Sequence, residues 1–327
     1  MTPISIRGSA VVAALIVLWA PPTGHTQPAT KVARVGVLAF GTPETDPNLS
    51  SLREGLRDLG YAEGRNLAFE YRYAGGQTDR LPGLALELVR LKPDVIFALG
   101  GDVAPAARTA TTTIPIVVSV SNDPVRSGLV ASFARPGGNI TGVTFISSDL
   151  AAKRLQLLKE IAPKVTRVGV LWNPDHIDPE YRETQAAGRA LDVQIHSLEV
   201  RGPADFEEAF RAAAAARLEA IVVVSSRLTT LNRQRIVEHA ARTHTLLVTG
   251  WGPWADSGAL VSYGPDINLA VRHAATYVDR ILKGARPADL PIQLPTNFEL
   301  VVNLKTARAH GLSIPTSVRA RADKIIE

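Results

Sequence analysis

The stretch PDVIFALGGDVAPAARTATTTIPIVVSVSNDP, residues 93–124, decides the fold that this sequence predicts. An uninterrupted apolar run at 95–99 ends in the turn 100–102, and a second run at 114–120 ends in the turn 121–123. Apolar runs without alternation are typical of strands that are buried on both faces, as in a parallel sheet with helices on each side. Ligands bind beyond the carboxyl ends of such strands, so both turns are predicted to line a cleft.

The strands around this stretch occur a second time further along the chain. The run VARVGVL at 32–38 matches VTRVGVL at 165–171, and PDVIFALGG at 93–101 corresponds to LEAIVVVSS at 218–226. The repeat predicts an α/β protein of two similar Rossmann-like lobes in tandem, each with a parallel sheet flanked by helices. Chance similarity is the alternative, because strands draw on a small apolar vocabulary.

The repeat also sets the expected lobe boundaries. The N-terminal lobe takes residues 30–147 and about 257–285, and the C-terminal lobe takes residues 148–256 and about 286–327. The last pieces are too short for a third lobe, so they are expected to return and complete the existing sheets. Several crossings between two lobes make a hinge, and a hinge predicts a cleft that can close.

The first 29 residues are typical of a secretory signal peptide. Arg7 supplies the positive start, residues 8–20 form the apolar core, and residues 21–29 form the small and polar end, with cleavage expected between 26 and 29. The chain has no cysteine, which excludes disulfides, thiol catalysis and a lipid-anchored cysteine. We therefore expect an exported, periplasmic protein without a lipid anchor.

Charge and motifs exclude several classes of function. The 327 residues carry a net charge of +5, but the basic residues are dispersed rather than interleaved with aromatic residues. Such a distribution is typical of a solvated surface, so nucleic acid is not an expected partner. The sequence has no GxxxxGK[ST] phosphate loop, no GxSxG elbow and no HExxH metal pair. No catalytic residue, cofactor or metal site is therefore predicted.

The two aspartates at the ends of the central strands have two possible roles. Asp102 can cap the helix that follows it, and Asp123 before Pro124 is predicted to start a short helix over 125–134. The functional interpretation places both beside a ligand that is held by main-chain N–H groups. An enzyme of tandem α/β lobes, such as a racemase or transferase, remains an alternative with these aspartates as acid and base.

Polar and aromatic residues occupy the matching strand ends of the second lobe. Arg227 could pair with a ligand carboxylate in a bidentate manner, although an ordinary surface arginine is an equal alternative. Trp251 and Trp254 lie between Gly and Pro and are expected to be exposed in a loop, as a ligand platform or the lip of the cleft. Tyr263, at the end of the next strand, has a similar predicted role.

The chain resembles the solute-binding proteins of ABC transporters, in the family that includes tryptophan- and tyrosine-binding members. The resemblance covers nearly the whole chain after the signal peptide. The stretches that carry it are GYAEGRNLAFEYRYAGG (60–76), IPIVVSVSNDPVRSGLV (114–130), ARPGGNITGV (134–143), YGPD (263–266), ILKGARPADLPIQLPT (281–296) and FELVVNLKTARAHGLSIP (298–315).

This resemblance implies a type I periplasmic binding fold of two lobes joined by three crossings. It also implies a monomer that traps a small ligand and delivers it to a membrane permease and its ATPase. The predicted ligand is small, carries a carboxylate that main-chain N–H groups at the strand ends can receive, and is amino-acid-like or aromatic. A sensory module for a membrane receptor is the further alternative. The predicted ligand-binding residues are Phe40, Gly41, Gly100, Gly101, Asp102, Ser121, Asn122, Asp123, Asn173, Ser225, Ser226, Arg227, Trp251 and Tyr263.

The sequence departs from the family pattern at two places in this set. Members often have residues like Gly-Thr-Pro-Ala where this chain has Gly101-Asp102, and some carry Asp where it has Ser226-Arg227. Both departures lie in the predicted pocket, so an aromatic amino-acid specificity does not transfer from the resemblance.

Overall fold

The structure, a computed structural model, describes residues 32–43, 46, 48–146, 148–176 and 179–327. The predicted signal peptide lies outside the described residues. Among the helices of the described part, none has the length and apolar character that crossing a membrane requires.

Twelve strands among the described residues form two sheets. The first sheet has five strands, all parallel, in the order β2-β1-β3-β4-β5. The second sheet is mixed and has seven strands in the order β12-β11-β10-β9-β8-β6-β7. The strands are β1 (Ala33–Ala39), β2 (Leu67–Tyr73), β3 (Val95–Leu99), β4 (Ile116–Val120), β5 (Ile140–Thr144), β6 (Arg167–Trp172), β7 (Gln194–Glu199), β8 (Ala220–Val223), β9 (Leu246–Thr249), β10 (Val261–Pro265), β11 (Phe298–Asn303) and β12 (Lys324–Ile326).

Helices cover these sheets, as expected for parallel strands that are apolar on both faces. Every residue of β3 and β4 is buried, which confirms the prediction for the two apolar runs. The helices are α1 (Asn48–Asp58), α2 (Leu81–Arg90), α3 (Ala104–Ala110), α4 (Ala151–Ile161), α5 (Glu180–Ala190), α6 (Phe206–Ala215), α7 (Arg227–Leu231), α8 (Arg233–Thr243), α9 (Gly252–Ser257), α10 (Ile267–Leu282), α11 (Leu304–Ala309) and α12 (Thr316–Arg321).

The strand orders confirm the repeat. In the first sheet β1 lies between β2 and β3, and in the second β6 lies between β7 and β8; in each sheet the next strand continues on the same side. The second sheet is extended beyond this unit by β11, which pairs antiparallel to β10, and by β12. The protein is therefore an α/β protein of two Rossmann-like lobes.

The chain passes between the sheets at places that differ from the expected boundaries. Strand β10, expected in the N-terminal lobe, pairs with β9 and β11 of the second sheet. The following helix α10 does pack on the first lobe, against α1, β4 and β5. The crossing therefore lies at Pro265–Asp266, because β10 gains two hydrogen-bonded neighbours in the second sheet while α10 has an apolar face to bury.

The last crossing also differs from the expectation. The segment after α10 still runs along the first lobe, where Gln293 N–H donates to the carbonyl of Gly142 over 2.9 Å and Thr141 donates to the carbonyl of Leu290 over 2.7 Å. The chain enters the second sheet only at Phe298. With the passage between β5 and α4, the described residues make three crossings.

The short helix predicted over residues 125–134 is wrong. These residues form turns, in which the Asp123 carboxylate accepts hydrogen bonds from the N–H groups of Val125 and Arg126. Gly128 lies at a φ of +70°, which ends any helical run after one turn. The predicted N-cap chemistry of Asp123 is thus present, but it closes a turn rather than a helix.

Candidate functional site

The carboxyl ends of the two sheets face each other across the crossings. Two side chains from the second lobe reach into the first: His176, four residues after β6, and Arg227, the first residue of α7. Both are nearly buried, at 3% and 5% exposure. The contacts they make define the site, because they join loops that are far apart in sequence.

His176 lies between two residues of the first lobe. Its Nδ1 is 2.7 Å from Asp102 Oδ1, and its Nε2 is 3.2 Å from Ser121 Oγ. A turn positions the ring: Asn173 Oδ1 accepts from the N–H of Asp175, and the N–H of His176 donates to the Asn173 carbonyl. Asn173 is therefore a turn residue in this structure, and whether it also contacts a ligand stays a prediction.

Arg227 forms an ion pair with the first lobe. Its Nη2 is 2.6 Å from Asp46 Oδ1, and its Nη1 donates to Asn48 Oδ1 over 3.2 Å. The surface alternative for Arg227 is wrong, since the Asp46 side chain is fully buried and that of Arg227 is 5% exposed. The carboxylate that Arg227 pairs with is thus one of the protein's own.

Burial dominates the electrostatics of this pair. The pKa of Asp46 is raised above its ordinary value because burial disfavours the charged form, and the neighbouring Arg227 charge and hydrogen bond only partly oppose this. This arrangement removes both charges from water, and each depends on the other for compensation.

Gly100 and Gly101 give these two side chains their room. A Cβ on Gly100 would lie 2.7 Å from Arg227 Cγ, and a Cβ on Gly101 would lie 2.9 Å from His176 Cε1. Gly100 also adopts a φ of +121°, which side chains rarely tolerate. The side chains that approach this glycine pair so closely come from the opposite lobe.

The two predicted aspartates have different surroundings. Asp102 does not cap α3, whose N-cap residue is Val103 and makes no side-chain cap; its carboxylate binds His176 instead. Asp123 accepts hydrogen bonds within its own turn. The structure thus engages Asp102 across the lobes, whereas Asp123 has a local role.

Ser225 and Ser226 follow β8. Ser226 is the N-cap of α7: its Oγ accepts from the N–H of Thr229, and Thr229 Oγ1 accepts from the N–H of Ser226. This reciprocal arrangement fixes the start of α7 and with it the direction of Arg227. Ser225 Oγ lies 2.8 Å from where a Cβ on Gly250 would be, which places it beside the end of β9.

The tryptophans are buried, which corrects the expected exposed loop. Trp254 lies in α9 at 2% exposure, and Trp251 is 4% exposed with its ring edge-on to Phe145 at 5.8 Å. The flanking Gly and Pro residues favour a loop, but the two indole rings have a large apolar surface whose burial is favourable. Helix α9 packs this surface against the core of the lobe. Among the described residues, no hydrogen-bond partner contacts the indole Nε1 of Trp251.

Three more residues of the predicted set have main-chain roles. The carbonyls of Phe40 and Gly41 accept from the N–H groups of Gly76 and Gly75, which fastens the loop after β1 to the loop after β2. The carbonyl of Tyr263 accepts from Arg154 Nε over 2.8 Å. Asn122, nearly buried, has its Oδ1 beside Gly101 and no hydrogen-bond partner for that oxygen among the described residues.

Sequence reasoning missed five residues of this region. A buried ion pair joins Arg154 Nη1 to Glu180 Oε1 behind the ends of β9 and β10. Arg154 could have been noticed, since it falls in the apolar stripe of α4 with Leu155 and Leu158. No sequence pattern marks the other missed residues, because their partners lie in the opposite lobe or on another helix. The missed residues are Asp46, Asn48, Arg154, His176 and Glu180.

Two cavities of about 440 and 550 Å³ are lined by second-lobe residues alone, so neither lies between the lobes. A cavity of about 170 Å³ touches both lobes and is lined in part by Asn48, Trp251, Asn268 and Glu299. This volume is below the roughly 300 Å³ of the smaller ligand pockets. Burial and the nearby Asp266 raise the pKa of Glu299. Within the described ranges, no three His, Asp or Glu side chains form a group that could hold a metal ion.

Comparisons with known proteins agree with this two-lobed arrangement. The profile of a family described as "ABC transporter substrate binding protein" matches residues 34–326. The tyrosine-binding protein of Clostridioides difficile (strain R20291) is 26% identical over 270 residues, which cover 80% of this chain and 77% of that protein.

Two solved structures are similar over 90% of the chain. A conserved domain protein from Vibrio cholerae is 29% identical with a TM-score of 0.84 over its whole length. An ABC domain in complex with L-Trp from Streptococcus pneumonia is 23% identical, with a TM-score of 0.83 over 99% of that chain, and so shows the fold alone. The lobes have the arrangement of type I periplasmic binding proteins. The chain therefore belongs to the ABC transporter substrate-binding protein family.

Proposed function

We propose that this protein captures a small solute outside the cytoplasm, by closing its two lobes, for delivery to an ABC importer. The observation that supports closure is the pair of interlobe contacts at His176 and Arg227, which require the two carboxyl edges to be adjacent. The three crossings lie next to one another, because Thr144, Pro265 and Asn297 line the same cavity, and adjacent crossings provide an axis for such a motion. The partners in this proposal are a membrane permease and its ATPase, and the protein acts as a monomer.

The proposed compartment is the periplasm. The apolar core at residues 8–20 and the small, polar end at 21–29 support removal of a signal peptide, and the missing cysteine supports release without a lipid anchor. Mass spectrometry of the protein recovered from the periplasmic fraction tests this, with a mature N-terminus between residues 27 and 30 expected. An intact Arg7 in the exported protein would contradict it.

The proposed ligand is a small carboxylate of the amino-acid class, aromatic members included. The tyrosine-binding protein that this chain resembles supports the class. The unpartnered acceptor Asn122 Oδ1 and donor Trp251 Nε1 support a ligand that both donates and accepts hydrogen bonds, because buried polar groups are normally satisfied. Arg227 is not part of the proposed carboxylate site, since it pairs with Asp46.

Thermal-shift screening tests this function. A library of amino acids and organic acids is added to the mature protein, and the true ligand at about 100 times its Kd stabilises the folded state by about 2.7 kcal/mol. A matched set of sugars serves as the control class. If neither aromatic nor aliphatic amino acids nor organic acids raise the Tm, the proposed ligand class is wrong.

One observation bears on the enzyme alternative. Asp102, His176 and Ser121 are connected in the order of a serine-hydrolase triad, Oδ1 to Nδ1 and Nε2 to Oγ. However, Ser121 is only 5% exposed and follows a strand without a nucleophile elbow. We therefore propose that these three side chains hold the two lobes in contact rather than catalyse a reaction. A fluorophosphonate probe is expected to leave the protein unlabelled; labelling that Ser121→Ala abolishes would establish the enzyme instead.

The original acid–base pair of that alternative has no support in the geometry. Asp102 binds His176, and Asp123 holds its own turn, so the described contacts do not join them in one pocket.

The sensory alternative shares every feature described above. Ligand uptake into proteoliposomes that contain the cognate permease and ATPase separates transport from sensing.

A further inference from the structure

We infer that the cavity beside the three crossings is a second binding site, and that its occupation favours the lobe arrangement described above. Its ligand is a small ring-shaped molecule with an N–H or O–H donor and without a negative charge. Among the described residues, the lining of this cavity includes none of the predicted ligand-binding residues. The site itself is independent of the proposed function, whereas its effect on the lobes rests on the proposed closing motion.

Each crossing supplies one wall of this cavity, which has a volume of about 230 Å³. Thr144 ends β5 just before the first crossing, and Pro265 and Asp266 form the second. The segment 293–297 leads into β11 and contributes the third wall. Helix α10 completes the lining with Ala270 and its neighbours. The cavity therefore lies where the chain passes between the lobes.

Hydrogen bonds fix the walls in place. The N–H of Gln293 donates to the carbonyl of Gly142 over 2.9 Å, and the N–H of Thr144 donates to the carbonyl of Gln293 over 2.9 Å. The carboxylate of Asp266 caps α10, because its Oδ1 accepts from the N–H of Leu269 over 3.1 Å. A small molecule can bind between walls that are already ordered, which lowers the entropic cost of binding.

Exposed apolar side chains surround the cavity. Leu294 is 47% exposed and Leu269 is 44% exposed, and both line the cavity. Phe298 is 42% exposed and pairs with Pro265 between β11 and β10, which places it beside them. Single exposed apolar residues are ordinary, but neighbouring ones around a concave surface indicate a ligand contact.

The volume limits the size of the ligand. An apolar protein cavity of about 150 Å³ holds benzene, and pockets for drug-sized ligands begin at about 300 Å³. A cavity of about 230 Å³ is therefore suited to one ring or two fused rings.

Asp266 sets the polarity of the ligand. Its carboxylate accepts one hydrogen bond from α10 and has further lone pairs for a donor on the ligand. The same charge disfavours a second negative charge nearby, and together with burial it already raises the pKa of Glu299. A ring with an N–H or O–H group satisfies both conditions, whereas a carboxylic acid does not.

Occupation acts on the lobes because the walls belong to the crossings. Rotation of the lobes changes the backbone dihedral angles at the crossings, and with them the shape of the space between Thr144, Pro265 and Asn297. A molecule that fits this cavity favours the arrangement in which Arg227 reaches Asp46, since a ligand shifts an equilibrium toward the state that it fits better. By linkage, the same molecule raises the affinity of the cleft for its solute.

An NMR titration of the mature protein with indole tests the ligand class. Benzofuran has nearly the same shape but no N–H group, so it is expected to bind about fivefold more weakly through the loss of one hydrogen bond. Indole-3-carboxylate is expected to bind at least tenfold more weakly, because its charge would lie near Asp266. Equal binding of the three probes, or no binding of indole, would overturn the assigned class.

Two substitutions locate the bound indole. Ala270→Leu fills part of the cavity from α10, and Leu294→Ser removes apolar lining, so each is expected to weaken indole binding at least fivefold. Leu294 lies outside the helices and strands, so its variant decides the outcome if Ala270→Leu does not fold. Leu86→Ser is the matched control, because Leu86 is also 47% exposed but lies on α2, away from the cavity. Unchanged affinity in both cavity variants, or an equal loss in the control, would overturn the site.

Small-angle X-ray scattering at saturating indole tests the effect on the lobes. The radius of gyration is expected to fall for the wild type and for Leu86→Ser, and to stay constant for Ala270→Leu. An unchanged or larger radius for the wild type with bound indole would overturn the effect. The proposed function fails separately, if no member of the solute library binds; solute binding together with indole binding that ignores positions 270 and 294 overturns this inference alone.

Discussion

The contact between α1 and α10 provides a prediction in which local and tertiary effects have opposite signs. Gly55 lies within α1, and a Cβ there would meet the carbonyl oxygen of Arg272 at 2.6 Å and the Cβ of Ala275 at 2.7 Å. Helix propensity alone favours Gly55→Ala by about 1 kcal/mol. Overpacking costs about 1–3 kcal/mol, and the upper end applies because one of the two obstacles is main chain.

We therefore expect Gly55→Ala to lower the free energy of unfolding by about 2 kcal/mol. At roughly 2 °C per kcal/mol, appropriate to a large domain, the Tm falls by about 4 °C. Chemical denaturation followed by circular dichroism gives both the midpoint and the slope. An unchanged slope shows that the loss lies in the native packing and not in a more compact denatured state.

Gly83 supplies the control, because it lies in α2 without a positive φ, and a Cβ added there would have no neighbouring atom within 4 Å. Gly83→Ala is expected to stabilise the protein by about 1 kcal/mol through propensity alone. If Gly55→Ala were as stable as Gly83→Ala, close helix packing would not be the reason for glycine at position 55. The site where α10 returns to the first lobe would then need another explanation.

Three further outcomes are expected. Burial, with a hydrogen bond to Asp279, raises the pKa of Tyr61 from 10.0 to about 12, so the protonated phenol stabilises the fold fully below pH 10 and this stabilisation is lost as the pH rises through 12. The substitution Asp279→Asn should lower the pKa of Tyr61 in an NMR titration. An unchanged pKa would assign the shift to burial alone. Arg154→Met leaves Glu180 buried opposite an apolar side chain and should lower the free energy of unfolding by about 3–5 kcal/mol in chemical denaturation. Adding Glu180→Leu should recover most of this loss. Equal losses in the single and the double variant would contradict the interdependence of the two charges. Gly101→Ala should weaken ligand binding about tenfold in calorimetry, because the added methyl group would meet His176. Gly138→Ala is the control and should not weaken binding, since a Cβ there has no atom within 4 Å. Equal affinities of the two variants would show that closure tolerates a methyl group beside His176.

The fold could be predicted from the sequence because its signals are local. The apolar runs at 95–99 and 116–120 predict strands whatever their position in the sheet, and the polar residues that follow them indicate the edge at which the strands end. The return of the chain was harder to place. Strand β10 and helix α10 belong to different lobes although Pro265 and Asp266 are adjacent, and only their packing partners show where one lobe ends.

The site was predicted in outline for the same reason. Strand ends identified Gly100, Asp102 and Ser121, but what those residues contact depends on the second lobe. His176 gave no signal because a single histidine in a turn has no characteristic pattern. Trp251 and Trp254 were misjudged because flanking Gly and Pro indicate a loop locally, while the size of an indole favours burial.

The return of α10 to the first lobe also bears on the order of folding. The hydrogen bond from Tyr61 to Asp279 spans 218 positions, and α10 covers strands that precede it by well over a hundred residues. Contacts so distant in sequence form slowly, because the intervening chain must be ordered first. The first lobe therefore cannot complete its core until residues 267–282 are present. If the chain crosses a membrane N-terminus first, as proposed, this lobe stays incomplete until residues 267–282 have emerged on the far side.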